Sequence, residues 1–110
     1  MLQEYRIMVA TTFDKHGNAL NSMEKPTRMH RIQTDATEVF GGYTTYAHKG
    51  AWQESPTTKP VIEAGFTLSI VTNAPHEVVY SFARRTGRTF YQASVTLILP
   101  GGNAEFLECY

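Results

Sequence analysis

A chain of 110 residues is long enough for one domain and too short for two, since domains usually run to 100 residues or more. Ten basic and ten acidic side chains cancel and the pI is near 6.9, so no electrostatic excess draws the chain to nucleic acid or to an anionic bilayer. The lone cysteine, Cys109, excludes an intrachain disulfide, and neither a CxxC pair, nor metal-ligand spacing, nor a long apolar run is present.

These features lead us to expect one domain over residues 1–110, in a reducing cytoplasm, without metal, cofactor or membrane anchor. Surface scaling for this mass gives roughly 6,100 Å² folded against roughly 18,000 Å² unfolded, enough burial for a core without staples. Aromatic residues make up 12% of the chain, ample for that core and for a flat-ring ligand besides.

The first element expected is a strand over 5–13, with Tyr5, Ile7, Val9 and Phe13 on one face. Asp14 to Asn18 is turn chemistry. Met23, Met29, Ile32 and Ala36 then recur at near-helical spacing, and Pro26 suits the first turn of a helix better than its interior. Residues 37–46 read as a second strand, bent at Gly41-Gly42, and 47–60 as a long loop.

The clearest alternation lies in 61–72. Ile62, Ala64, Phe66, Leu68 and Ile70 form an apolar face, with Glu63, Gly65, Thr67 and Ser69 between them. Asn73 is a candidate N-cap for a second helix over about 74–86, whose stripe is Val78, Val79, Phe82 and Ala83. A last strand is expected from Thr89 to Leu99, with Tyr91, Ala93, Val95 and Leu97 on one face, ended by Pro100-Gly101-Gly102.

The order βαββαβ predicts an α+β, ferredoxin-like sandwich in which two helices cover one face of a four-stranded antiparallel sheet. The other face is left bare. Oligomerisation is the usual way to cover it, and Phe106, Leu107 and Tyr110 of the tail add apolar area. The expected core is Ile7, Val9, Phe66, Leu68, Ile70, Val78, Phe82, Val95 and Leu97.

Alternation puts Glu63 on the bare face, where it is either a solvated strand carboxylate or, between packed subunits, a partly buried one. Tyr43, Tyr46 and Trp52 lie near it in sequence, with Gly41, Gly42 and Gly50 permitting close backbone approach. An indole face beside a carboxylate suits a sulfonium or quaternary ammonium; interface packing is the plainer use of the same residues. His16, His30, His48 and His76 have no zinc-helix spacing and read as surface groups. Arg84, Arg85 and Arg88 are where a helix C-terminus favours cations in any case.

The Met29-His30-Arg31 helix, Val39-Phe40-Gly41-Gly42, Gly50-Ala51-Trp52, Glu63 at the start of a β-branched strand, and the second helix and last strand together carry a resemblance. Over roughly two-thirds of its length the chain resembles the phage-encoded lyases, formerly called hydrolases, that degrade S-adenosylmethionine. The resemblance implies a ferredoxin-like subunit in a trimer, with the substrate between subunits, and a role in depriving host methylation and restriction of their cofactor. It also implies a tyrosine and a glutamate eleven residues apart beside the substrate; Glu63 matches the glutamate, and Trp52 stands where the tyrosine would be. Indole keeps the aromatic face and loses the phenol. The resemblance thus makes Glu63 the catalytic candidate and Trp52, Tyr46, Tyr43, Gly41 and Gly42 the substrate-binding candidates. The competing expectations are a non-catalytic module, either a sponge for a nucleotide-like ligand or an inhibitor of a host enzyme, and a purely structural oligomeric domain.

Overall fold

The computed structural model describes residues 1–110. Its elements are β1 (Gln3–Ala10), α1 (Lys25–Phe40), β2 (Thr44–Trp52), β3 (Val61–Thr72), α2 (His76–Thr89), β4 (Ser94–Ile98) and β5 (Ala104–Glu108). The fold is α+β, with two helices on one antiparallel sheet of order β2-β3-β1-β4-β5. The first six elements keep the expected βαββαβ order, but the sheet has five strands where four were expected.

Strand β3 forms as its alternation predicts and pairs on both sides. Ile7 lies opposite Leu68 and Val9 opposite Phe66, while Leu97 of β4 continues the same row beyond Ile7. These side chains share one face with Ile32 and Ala36 of α1 and with Val79, Phe82 and Ala83 of α2, in a single core of 16 buried residues. Phe40 meets Phe82 edge-on at 5.1 Å, so the two helices touch above the sheet.

Of the expected core, Val78 is the exception, 38% exposed. Val79 takes the inward position, in helical phase with the buried Phe82, Ala83 and Thr86, and α2 begins at His76 and not near 74. Pro75 precedes its first turn, and Asn73 makes no capping bond; the Thr72 hydroxyl instead accepts from the amide of Ala74 at 3.0 Å. Ile62 and Ala64 are exposed although they lie on the core face of β3, since that end of the strand runs beyond the helices. Met23 is exposed ahead of α1.

Of the strand expected over 37–46, only 44–46 form, as the start of β2. Helix α1 continues to Phe40, because Ala36 and Phe40 extend its buried stripe and the Thr37 hydroxyl donates back to the Gln33 carbonyl at 2.9 Å. Gly41 then ends the helix in the left-handed region, φ 85°, its amide donating to the Thr37 carbonyl. Gly41 and Gly42 are therefore a helix terminus and its exit, not a bend in a strand. Residues 47–52, expected in a loop, belong to β2, where they pair with Phe66 back to Val61 of β3. Only 53–60 connect the two strands.

At the chain ends the corrections have the same form. β1 stops at Ala10, and Phe13 bridges Ala19 across the 14–18 turn. There the Asp14 carboxylate accepts from the amides of Asn18 and His16, which hold its carboxyl below the usual range. Residues 89–93 leave the expected last strand: Arg28 donates to the Thr89 carbonyl and to the Tyr91 hydroxyl, each at 2.8 Å, and Tyr91 turns at φ 54°. Gly101 and Gly102, at φ 94° and 95°, fold the chain back so that the tail pairs as β5 with β4. Leu107 and Cys109 of that tail enter the core, while Phe106 points to the open face.

Cys109 lies against Gly87 of α2 so closely that a Cβ on Gly87 would overlap its Sγ and come within 2.8 Å of Val95 Cγ1. Burial pushes the Cys109 thiol above its ordinary pKa. Two measurements check this packing. Leu68→Ala is expected to lower unfolding free energy by about 2–5 kcal/mol and Val78→Ala by under about 1 kcal/mol, read by urea denaturation. Gly87→Ala is expected to destabilise the chain, and adding Cys109→Ala to restore part of the loss; full additivity of the two losses would contradict the contact.

Candidate functional site

Two helices cover one face of the sheet, and the register assigns what lies on the other. Along β2 the open face carries Thr44, Tyr46, His48, Gly50 and Trp52; along β3 it carries Val61, Glu63, Gly65, Thr67, Ser69 and Val71. Met8 of β1 and Phe106 of β5 continue the row of Tyr46 and Thr67 across the sheet. Phe106 is 81% exposed, Trp52 52% and Tyr46 47%. The exposed apolar side chains of this face are Met8, Tyr46, Trp52, Val71 and Phe106. The accessible surface is 6797 Å², against roughly 6,100 Å² expected of a compact monomer of this mass.

Glu63 sits directly opposite Gly50. A Cβ at Gly50 would meet nothing within 4 Å, so the space beside the carboxylate on the β2 side is open, bounded along the strand by His48 and Trp52. The Glu63 carboxylate forms no ion pair: the one salt bridge of the chain joins Arg28 to Glu24 at 2.8 Å. It also accepts no hydrogen bond from its own chain, although it is only partly exposed.

His48 was expected in a loop as a surface group. It is instead a half-buried strand residue, laid across β3 over Gly65, with Nδ1 2.9 Å from the buried hydroxyl of Thr67. Only a glycine fits at 65: a Cβ there would overlap the Val9 carbonyl and come within 2.7 Å of His48 Nε2. A glycine in a strand otherwise rich in β-branched residues was the sequence signal for this close approach. The ring stands one diagonal step from Glu63 on the neighbouring strand, about 7–8 Å in a regular sheet.

The candidates do not all meet. Trp52, opposite Val61, is one diagonal step from Glu63. Tyr46, opposite Thr67, is further along the same face. Gly41, Gly42 and Tyr43 border a cavity of about 240 Å³ with Ser69 at the far end of β2. From Glu63 to Ser69, opposite Thr44, is six residues of β3, about 20 Å. A carboxylate and an indole therefore lie at one end of the open face, while the glycine backbone and Tyr43 lie at the far end of β2 beside the end of α1, where Tyr43 also borders His30 and Thr34.

No group of three or more acidic, histidine or cysteine side chains is placed to hold a metal, and no helix is long and apolar enough to cross a membrane. By sequence, no protein family matches the chain, and no curated protein does. By structure, a phage SAM lyase in complex with S-methyl-5′-thioadenosine matches with a TM-score of 0.68 at 14% identity, covering 97% of this chain and 89% of that one. A phage SAM lyase in the apo state matches with a TM-score of 0.66 at 14% identity, covering 96% of this chain and 87% of that one. The chain shares the fold of these lyases along nearly its whole length.

Proposed function

We propose that this chain splits S-adenosylmethionine into methylthioadenosine and homoserine lactone, at a site completed between subunits. The observation that carries the reading is Glu63, a carboxylate without a partner in its own chain, opposite a glycine and beside an indole, in a fold shared with a lyase bound to S-methyl-5′-thioadenosine. Its free charge and the open space above Gly50 suit a cationic ligand.

The reaction asks little of the protein. The substrate carboxylate attacks its own γ-carbon; a C–O bond forms, the C–S bond breaks, and the electron pair leaves on sulfur, so the sulfonium becomes a neutral thioether and no proton moves. The site has to fold the substrate and strip water from the attacking carboxylate. Glu63 pairs with the ammonium or sulfonium, and the face of Trp52 adds about 0.5–2 kcal/mol for the cation. Backbone groups at Gly41 and Gly42 suit the adenine edge. Since these lie about 20 Å from Glu63 in one chain, a neighbouring subunit supplies them. The open face of Met8, Tyr46 and Phe106 is the surface that brings subunits together, and a trimer in the host cytoplasm is the assembly we favour.

A second reading rests on Trp52. An indole holds a cation as well as a phenol does but cannot accept a hydrogen bond or supply a hydroxyl. The same site then binds a nucleotide-like ligand without turnover, as a sponge, or the face docks on a host enzyme as an inhibitor.

Incubating the purified protein with S-adenosylmethionine and resolving the products by chromatography separates the readings. Methylthioadenosine and homoserine lactone are expected; binding without product supports the sponge, and neither binding nor product ends the ligand reading. Glu63→Gln is expected to keep the melting temperature and to lower affinity or turnover at least tenfold, about 1.4 kcal/mol. A fall in stability with affinity unchanged would make Glu63 structural. Light scattering is expected to give three times the 12.4 kDa chain mass, and Met8→Lys on the open face to reduce it. A wild-type monomer would remove the intersubunit site.

A further inference from the structure

Helix α2 turns a second, unrelated surface outward. Glu77, Tyr80, Ser81, Arg84 and Arg88 recur at helical spacing along one face of it, and with His76 they line a groove of about 510 Å³. That volume lies within the range of small-molecule sites. The groove lies on the helix layer, away from the open sheet face.

Its charges are arranged along its length. Arg84 donates through Nε to the Glu108 carbonyl at 3.2 Å, and Arg88 through Nη1 to the Cys109 carbonyl at 2.8 Å. These bonds anchor both guanidinium groups on the β5 tail and leave most of their N–H donors free. Neither has a carboxylate within ion-pair distance. Two cations one turn apart, held still and unpaired in a chain of zero net charge, are poised for an anion. The nearby Glu105 carboxylate accepts the Tyr80 hydroxyl at 2.7 Å, which raises the Tyr80 pKa, and lies outside ion-pair distance of both arginines. Glu77 is seven residues from Arg84, about 10 Å along the helix, at the other end of the groove with His76.

We infer that this groove binds a phosphate-bearing small molecule, with the phosphate on Arg84 and Arg88 and the body of the ligand running along Tyr80 and Ser81 toward His76 and Glu77. Planar guanidinium groups match phosphate oxygens two at a time, and the Ser81 hydroxyl offers the body a neutral donor. The tyrosine ring flanks the body, while Glu77 accepts from a ligand hydroxyl or amine. Chloride or inorganic phosphate fills only the cationic end.

The test is a titration of isotope-labelled full-length protein with adenosine 5′-monophosphate and, separately, inorganic phosphate, followed by amide chemical shifts. Shifts confined to residues 76–88 and the β5 tail are expected, with the nucleotide binding more tightly than phosphate. Arg84→Gln and Arg88→Gln should each weaken binding roughly tenfold to a hundredfold, the worth of a charge-assisted hydrogen bond. Ser81→Asp leaves both tail contacts in place and should abolish binding, which separates loss of the site from loss of the fold. Arg85→Gln should change nothing, because Arg85 lies against Phe82 outside the groove. The proposal is overturned by the absence of localised shifts, by equal affinity for phosphate and nucleotide, by an equal effect of Arg85→Gln, or by tighter binding of a single-stranded oligonucleotide with a steep salt dependence. None of these outcomes bears on turnover of S-adenosylmethionine at the sheet face.

Discussion

Strand β3 is the constraint on which the rest of the molecule depends. It pairs with β2 along nine positions and with β1 along eight, so its register sets the facing of three strands at once. Side chains alternate with a period of two, and a slip of one residue would exchange the two faces entirely. The register that sends Phe66, Leu68 and Ile70 beneath the helices is therefore the same one that turns Glu63, Gly65 and Thr67 outward. Core and candidate site are not separately adjustable in this strand.

Two helices are enough to cover one face of five strands and not both. The open face is polar at its centre of close packing, where His48 lies over Gly65 against the Thr67 hydroxyl, and apolar around it at Met8, Tyr46, Trp52 and Phe106. A buried threonine hydroxyl and a half-buried imidazole satisfy one another, which avoids the cost of about 1–3 kcal/mol for an unpaired buried polar group. Tyr5, on the covered side, shows the contrary case: its hydroxyl is buried beside His76 without a partner, and the burial of its ring has to outweigh that loss.

The C-terminal segment links the core to the outer surface of α2. β5 adds an edge strand, Cys109 fills the space that Gly87 leaves in the helix, and two carbonyls of the tail fix Arg84 and Arg88. The absence of a side chain at Gly87 thus has a consequence at the surface, since a larger residue would displace the tail that holds the two cations in place. Packing inside the helix and charge outside it are coupled through five residues of strand.

Local pattern was legible in the chain itself wherever one element decides its own conformation. The alternation of 61–72, the helix start at Pro26, most of the core, and the facing of Glu63 all follow from periodicity and from the fixed φ of proline. What the chain did not disclose was decided by partners distant in sequence. Residues 37–40 have β-branched character yet stay helical because Phe40 packs on Phe82; Gly50 and Ala51 extend because β3 pairs with them; and the tail becomes β5 because β4 offers an unpaired edge. The closeness of His48 to Gly65 and the separation of Gly41 from Glu63 are likewise properties of the register. Backbone pairing and side-chain packing are interactions between segments, and their strength is absent from either segment alone.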